Sequence, residues 1–199
     1  DCGMEQGIDV FENVPIPVPA NTIEAVFLTH AHIDHSGMLP KLWKDGFKGL
    51  IYATEATCNL CDIMLRDSAH IQESEAQWQN RKAQRAGDEL VTPIYTTADA
   101  LGAISRFRPC GYGQVIQAEE GVEVRFSDIG HLLGSACIEL WLTEDGVTKK
   151  IVFSGDVGNI DQPLIKDPLP VEETDYLVLE STYGNRLHEK PGNTVVELA

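Results

Sequence analysis

The chain has 199 residues, which suits one domain of ordinary size. Acidic residues outnumber basic ones by 31 to 15, and the formal net charge is -16. This charge argues against a protein that wraps nucleic acid through its overall surface field. Hydrophobic residues make up 43% of the chain, but no apolar run could cross a bilayer, so we expect a globular protein without a membrane partner.

The predicted elements of the first half are mostly helical. In chain order they are a strand over 23–29, a short helix over 37–44 capped by Ser36, a strand over 49–53, a long helix capped by Thr54, a polar solvated helix or partly mobile insert over 70–87, and a helix beginning at Thr97 with Ala100, Leu101, Ile104 and Phe107 on one face.

The second half is richer in strands. They are predicted over 114–118, 122–128, 136–142, 150–153 and 176–179, with a hairpin turn at Glu144-Asp145-Gly146. Helices followed by a run of strands predict a mixed α/β (α+β) sandwich. In such a fold, loops at the strand ends carry the chemistry.

The five cysteines are odd in number and scattered, which predicts a reducing cytoplasm rather than a disulfide framework. Cys58 and Cys61 have the spacing of a metal or redox pair. Because they lie in a helical pattern without a second pair nearby, we expect two buried apolar side chains. Trp43, Trp78 and Trp141 are likewise expected to pack in the interior.

The densest chemical signal is Thr-His-Ala-His-Ile-Asp-His-Ser-Gly at residues 29–37, which holds three of the six histidines. Extended backbone at a strand end points His30 and His32 to the same side. Asp34 and His35 follow in the turn, displaced enough to hold a second ion. Imidazole and carboxylate ligands suit zinc, with manganese and iron as competitors.

Two further candidate ligands follow predicted strands. His131 lies in Gly-His-Leu-Leu-Gly-Ser, and Asp156 lies in Ser-Gly-Asp-Val-Gly. Each motif is weak by itself, because an isolated loop histidine is usually solvated and Gly-Asp is usually a turn. Their weight comes from their order after the histidine motif.

This ordered set of motifs resembles the metallo-β-lactamase fold hydrolases. Asp1-Cys2-Gly3 resembles the first turn of that fold, following a strand that is absent here, so we expect a piece of a longer protein. Leu-Glu-Ser-Thr-Tyr-Gly-Asn-Arg at 179–186 is similar to the β-CASP branch, which includes RNA-processing endonucleases and bacterial ribonucleases. Residues 67–72 and 80–82 resemble its bacterial and archaeal members. The resemblance covers nearly the whole chain and implies a partial αββα sandwich over 1–199.

The resemblance also implies a centre with two divalent ions, zinc by preference. One ion would be held by His30, His32 and His131. Asp34 and His35 would hold the other, Asp156 would bridge the two, and Asp1 would orient the ligands. A further histidine ligand and an inserted β-CASP domain are expected beyond residue 199, since His188 stands too close to Glu180 to be either.

The function implied by the resemblance is cleavage of RNA, in processing or decay, by a hydroxide that two zinc ions activate. Asp34 and Glu180 would be catalytic, and Glu180 would hold the histidine that protonates the leaving oxygen. The alternative for Glu180 is a carboxylate that caps a turn. A cytoplasmic protein and a homodimer are expected, and the isolated 199 residues are expected to have little or no activity.

Two other functions remain open from the sequence. A hydrolase of thioesters or lactams would use the same ligands, and a scaffold of a processing complex would keep the fold without catalysis.

A separate question concerns six basic residues, which either line the approach to the metals or form a solvated helix face with i,i+4 ion pairs. They are Arg66, Arg81, Lys82, Arg85, Arg106 and Arg108.

Overall fold

The computed structural model describes residues 1–5 and 13–185. The helices in this part of the chain are α1 (Ile33–Ser36), α2 (Leu39–Lys44), α3 (Glu55–Ala86) and α4 (Thr97–Ile104). The strands are β1 (Ala25–Phe27), β2 (Leu50–Thr54), β3 (Phe107–Cys110), β4 (Val115–Glu119), β5 (Val122–Asp128), β6 (Ala136–Glu144), β7 (Val147–Phe153) and β8 (Tyr176–Val178). No helix among them combines the length and the apolar character that crossing a membrane requires.

The strands form two sheets. The first is parallel, in the order β1-β2-β3, and the second has the order β4-β5-β6-β7-β8. Within the second sheet only the β7–β8 pair is parallel. The sheets share an apolar layer that includes Tyr52 from the first and Val124, Phe126 and Ile138 from the second. The predicted mixed α/β class is therefore confirmed.

The helices form a second core with the other face of the first sheet. Leu28, Ile51 and Ala53 are fully buried there, together with Leu39 of α2 and Leu65 of α3. The described residues thus form three layers: helices, sheet and sheet. The outer face of the second sheet has no helical layer within residues 1–5 and 13–185, so the expected αββα order is seen there only as αββ.

Two details near the histidine motif differ from the prediction. β1 covers Ala25–Phe27 rather than 23–29. Just beyond its carboxyl end the Leu28 N–H still bonds to the Tyr52 carbonyl of β2, but the Thr29 N–H is donated to the Asp1 carboxylate instead of to a strand. Ser36 does not cap a helix over 37–44. It ends α1, is fully buried, and donates its hydroxyl to the Ala31 carbonyl at 2.9 Å.

α3 is a single helix of 32 residues. Thr54 caps it as predicted, accepting a hydrogen bond from the Thr57 N–H at 3.3 Å. The polar part that was expected to be a helix or an insert continues the same helix to Ala86. Gly87, at a φ of 79°, ends it in the left-handed conformation that favours glycine.

The prediction missed β3. α4 does begin at Thr97, but Phe107 is not on its inner face and Leu101 is 42% exposed. Phe107 opens β3 and lies opposite Ile51 in the parallel ladder. The helical spacing of apolar residues continues as far as Phe107. The conformation of β3 is nevertheless extended, because its backbone pairs with the edge of β2.

The remaining strands agree with the prediction to within a few residues. The hairpin turn between β6 and β7 is confirmed, with Asp145 and Gly146 at φ values of 50° and 76° and with Glu144 opposite Val147. Two successive residues at positive φ are typical of the type I′ turn, whose twist matches the flanking strands.

A buried ion-pair network joins three strands of the second sheet. Glu139 of β6 is 1% exposed and accepts hydrogen bonds from Arg125 of β5 at 2.8 and 2.9 Å. Lys150 of β7 lies 2.8 Å away and Ser127 donates at 2.6 Å. Burial by itself raises the pKa of the Glu139 carboxyl, but the donors from Arg125, Lys150 and Ser127 outweigh it and lower the pKa to about 2.

We expect Glu139→Gln to lower the free energy of unfolding at pH 7 by roughly 3 kcal/mol, because Arg125 and Lys150 lose a buried anion. A carboxyl whose folded-state pKa is lowered stabilises the fold above its unfolded value of about 4.5, and this stability disappears as the pH falls towards 2. The difference between wild type and variant should therefore shrink between about pH 4.5 and 2 in denaturant titrations. Glu144→Gln, at an exposed position of the same strand, should change neither the stability nor its pH dependence.

Candidate metal centre

The predicted ligands lie at one edge of the sandwich because of the strand directions. β5 and β7 are both antiparallel to β6, and β8 is parallel to β7, so these three strands run the same way. The loops at their carboxyl ends carry His131, Asp156 and Glu180 respectively. The loop that follows β1 in the first sheet brings His30 and His32 to the same place.

Four side chains converge there. Ligand atoms of His30, His32, His131 and Asp156 all lie within 4.8 Å of one another. Nδ1 of His32 is 3.0 Å from Nε2 of His30 and 3.3 Å from Nε2 of His131. Oδ2 of Asp156 is 3.6 Å from Nε2 of His30 and 3.4 Å from Nε2 of His131.

These separations fit a metal ion. Zinc bonds of about 2.0–2.2 Å in tetrahedral geometry place neighbouring donor atoms about 3.3–3.5 Å apart. The four measured distances, 3.0 to 3.6 Å, lie around this value. The donor set of three imidazole nitrogens and one carboxylate oxygen is also one that divalent transition metals prefer.

The second oxygen of Asp156 faces a different histidine. Oδ1 lies 3.1 Å from Nε2 of His35, while Oδ2 faces the first group. The carboxylate therefore stands between the group of three imidazoles and the ring of His35. On its other side the His35 ring places Nδ1 2.8 Å from Oδ2 of Asp1.

Asp1 is linked to two of the histidines by hydrogen bonds, to one directly and to the other through Thr29. It accepts the Nδ1–H of His35 directly, so that Nε2 of that ring keeps its lone pair. It also accepts the Thr29 hydroxyl at 2.9 Å, and that hydroxyl oxygen lies 3.0 Å from Nδ1 of His30. Since the Thr29 proton goes to Asp1, its oxygen accepts Nδ1–H from His30 and leaves the His30 Nε2 lone pair facing the cluster.

Burial favours the neutral form of His30 and His131. It lowers the pKa of His30 to about 2, with further lowering from the neighbouring rings of His35, His32 and His131. Burial also lowers the pKa of His131, although the carboxylates of Asp156 and Glu180 oppose this effect. Neutral imidazole is the form that binds a metal ion.

Glycines allow the loops to approach so closely. Gly155, at a φ of 57°, brings the loop of Asp156 against Thr29, where a Cβ atom would lie 2.8 Å from the Thr29 Cβ. Gly158 packs on the His131 loop, where a Cβ would come within 1.6 Å of the Gly130 carbonyl oxygen. The Gly158 N–H also donates to the Ile129 carbonyl at 2.9 Å.

Asp34 and Glu180, the two predicted catalytic groups, lie in different surroundings. Asp34 is exposed in the first turn of α1 and makes no hydrogen bond or ion pair with the rest of residues 1–5 and 13–185. Glu180 accepts the Val157 N–H at 2.6 Å and donates its own N–H to the Ser154 hydroxyl at 3.0 Å. Arg186 and His188 are outside the described residues.

Thr29 lies in the histidine motif, and Gly155 and Gly158 lie in the motif of Asp156, but the sequence predicts no role for these three residues. Thr29 gives no signal beyond its place beside the first histidine, and the glycines look like ordinary turn residues. Their function depends on which loops meet, and spacing along the chain does not reveal that.

The other candidate features lie away from this centre. Burial raises the pKa of both the Cys58 and Cys61 thiols to about 12, as expected for inert side chains, and all five cysteines are free. Trp78 does not pack in the interior, because it is 53% exposed on α3. Arg66 has the i,i+4 partner Asp62 that a solvated helix face predicts.

Arg81, Lys82 and Arg85 do not line the approach to the cluster. The amino end of α3 is fixed beside the His131 loop, since Thr54 and Thr57 both donate to the Gly134 carbonyl. Arg81 lies 27 residues further along the helix, which at 1.5 Å per residue is roughly 40 Å away.

Comparison with known proteins agrees with this geometry. Residues 1–190 match the family described as the metallo-beta-lactamase superfamily. The chain belongs to the metallo-β-lactamase superfamily. The match confirms the resemblance to this family that the sequence motifs indicate. Together with the four converging donor atoms, it supports the use of a divalent metal ion.

Several curated relatives of this metallo-β-lactamase chain carry names from RNA processing. It is 33% identical to Ribonuclease TTHA0252 of Thermus thermophilus over 99% of its own length and 41% of the relative's. It is 32% identical to an RNase J-like protein of Methanocaldococcus jannaschii, over 99% of this chain and 39% of the relative. Cleavage and polyadenylation specificity factor 73 of Drosophila melanogaster is 29% identical, over 96% of this chain and 26% of the relative. The chain thus spans at most about two fifths of these relatives.

We expect Gly155→Ala to weaken metal binding by about tenfold or more, because the added methyl group pushes the Asp156 loop away from Thr29 and His30. Gly146→Ala is the matched control, since this glycine has a φ of 76° with nothing within 4 Å of the added Cβ. Both changes carry a backbone strain of about 1–2 kcal/mol. Metal titration should separate them, and equal metal affinity in the two variants would contradict the role of this contact.

Proposed function

We propose that this protein is a metal-dependent phosphodiesterase that cleaves RNA in processing or decay. The observation that carries the proposal is the convergence of His30, His32, His131 and Asp156 from the ends of strands in both sheets. The names of the relatives support RNA as the substrate, because they include ribonucleases and a cleavage factor. The enzyme is thus a hydrolase whose ligands lie at one edge of the sandwich.

The metal assignment follows from which donors face one another. His30, His32 and His131 would hold the first divalent ion, zinc by preference, and Asp156, which faces both this group and His35, would serve both ions. His35, hydrogen-bonded to Asp1, would hold the second ion together with Asp34. The separation of Asp34 from the cluster favours completion of this second site by substrate or by a histidine from outside residues 1–199.

Two bound divalent ions would lower the pKa of a water molecule and stabilise charge on the phosphoryl oxygens. The residues of this chain prepare that chemistry. Asp1 and Thr29 fix the ring orientations of His35 and His30, so that the lone pairs of both point inward before substrate binds. In hydrolysis a water oxygen bonds to phosphorus, the bond to the leaving ribose oxygen breaks, and that oxygen takes a proton.

We assign to Glu180 a part in this proton transfer. Its carboxylate acts electrostatically on His131 and accepts the N–H of Val157, next to Asp156. One carboxylate oxygen is thus occupied by the loop, and the negative charge remains beside the metal ligands. The charge orients a proton-donating histidine of the β-CASP domain, which we place outside residues 1–199 together with the last ligand of the second ion. A cytoplasmic homodimer completes the proposal.

The first test compares substrates. Full-length protein with zinc or manganese should cleave single-stranded RNA and should turn over neither a thioester nor a chromogenic lactam. Turnover of the thioester with intact RNA would favour the small-molecule hydrolase instead. Fewer than one bound metal ion per chain, with no turnover of any substrate, would favour the scaffold.

Loss of a metal ligand should abolish cleavage. We expect His131→Ala to lower kcat/KM for RNA at least a hundredfold and to reduce the metal content, because metal stabilisation of the transition state is worth several kcal/mol. His70→Ala is the control, since His70 is exposed on α3 outside the cluster. Chelation should silence the wild type, and added metal should restore it. Cleavage that survives in the His131 variant at wild-type rate would exclude the proposed centre.

Glu180→Gln distinguishes a catalytic charge from a turn cap. The amide oxygen of glutamine can still accept the Val157 N–H, so the loop should keep its conformation while the charge is lost. We expect kcat for RNA to fall about a hundredfold with unchanged metal content and thermal stability. An unchanged kcat would show that Glu180 only caps the loop.

A further inference from the structure

The distal half of α3 carries an unusual concentration of positive charge. Residues 76–87 include Arg81, Lys82 and Arg85 and contain no acidic residue, although acidic residues outnumber basic ones 31 to 15 in the chain as a whole. Acidic residues return only at Asp88 and Glu89, beyond the end of the helix. This segment is therefore a local exception to the charge of the protein.

The cations share the outward face of the helix. Ala76, Asn80 and Ala83 form the inner face, and the Asn80 side chain holds the loop that returns along it through two hydrogen bonds to the Val91 backbone, at 2.8 and 2.9 Å. At 100° per residue, Trp78 and Arg85 point in the opposite direction. Arg81 and Lys82 flank them, and all four side chains are exposed.

The fold makes little use of these charges. Arg66, Lys41 and Lys149 each pair with a carboxylate, whereas Arg81, Lys82 and Arg85 have no ion pair with any residue in 1–5 and 13–185. Arg81 and Arg85 are i,i+4 neighbours of like charge, which destabilises an isolated helix slightly. An external anion would remove this repulsion.

Trp78 makes a cation–π contact within this face. Lys82 Nζ lies 3.4 Å from the centroid of the indole ring, one helical turn away, so the ring fixes an ammonium group that would otherwise be mobile. The indole is still 53% exposed. An exposed aromatic ring among several cations is the combination that binds single-stranded nucleic acid, in which bases stack and phosphates pair with the cations.

We propose that the outward face formed by Trp78, Arg81, Lys82 and Arg85 binds the bases and phosphates of single-stranded RNA at a site remote from the metal centre. The inference rests on the proposed function for the choice of RNA as the polyanion. The face lies roughly 36–46 Å along α3 from the Thr54 cap, which touches the His131 loop. It therefore contacts nucleotides far from the scissile bond and affects affinity for long substrates only.

The test uses the full-length protein and a triple variant, Arg81→Gln, Lys82→Gln and Arg85→Gln. The matched control removes three cations that have carboxylate partners, through Lys41→Gln, Arg66→Gln and Lys149→Gln. Binding of a 30-nucleotide single-stranded RNA is measured by fluorescence anisotropy at several salt concentrations. Hydrolysis of bis(p-nitrophenyl) phosphate, which is too small to reach α3, reports on the metal centre.

The triple variant should bind the RNA about tenfold or more weakly, and the slope of log affinity against log salt should fall by about 2, because each phosphate contact on a single strand contributes roughly 0.7. The control should keep the wild-type slope, and both should hydrolyse the small ester equally. Arg81→Lys with Arg85→Lys should retain the slope, since lysine preserves the charge. Trp78→Ala should weaken binding about fivefold or more.

An unchanged slope in the triple variant, or an equal loss in the control, would overturn the proposal. If the triple variant fails to fold, the single variant Arg85→Gln is measured instead. A fall of about 0.7 in the slope of log affinity against log salt would support the proposal, and an unchanged slope would contradict it. If neither the wild type nor any variant hydrolyses a phosphodiester, the proposed function is refuted. The RNA-binding face would still stand in that case if the triple variant alone lost RNA binding. Selective binding of an acidic peptide instead of RNA would replace the RNA proposal with a protein partner.

Discussion

The hydrogen bonds of a single carboxylate, that of Asp1, link two of the histidines at the candidate metal centre. Asp1 accepts the Nδ1–H of His35 and the hydroxyl of Thr29, whose oxygen lies 3.0 Å from Nδ1 of His30 and favours the tautomer with the proton on that nitrogen. Without those bonds either ring could rotate or change tautomer and present N–H to the cluster, where it would repel a cation. Nε2 of His30 and Nε2 of His131 lie 3.0 and 3.3 Å from Nδ1 of His32, spacings that suit an ion held between the three rings.

The second sheet supplies the rigid frame for this arrangement. Arg125, Glu139 and Lys150 join β5, β6 and β7 through buried ion pairs. The carboxyl ends of β5 and β7 carry His131 and Asp156. A network that fixes these strands relative to one another also fixes the distance between two ligands that lie 25 residues apart in the chain. Stability and site geometry thus depend on the same three strands.

The acidic composition and a polyanionic substrate are compatible because charge acts locally. Solvent ions screen charges beyond about 8 Å at physiological ionic strength, so the net charge of -16 does not govern each part of the surface. The metal ions would provide positive charge at the reacting end, and the cationic face on α3 provides it at the other. Between them the acidic surface would discourage nonspecific adsorption of nucleic acid, since like charges repel.

The sequence by itself determined the ligand types, their order and the class of fold. The spacing of His30, His32 and His35 indicates metal-binding side chains from the sequence alone. The run of predicted strands in the second half of the chain likewise predicts a sheet. Short-range patterns could not reveal β3, the buried role of Ser36 or the exposure of Trp78, because each depends on what lies across the fold. The convergence of His131 and Asp156 on His30 was likewise decided by tertiary structure. About 100 residues separate the histidine motif from His131, and sheet pairing, with glycine at the loop contacts, brings the four donor atoms within 4.8 Å of one another.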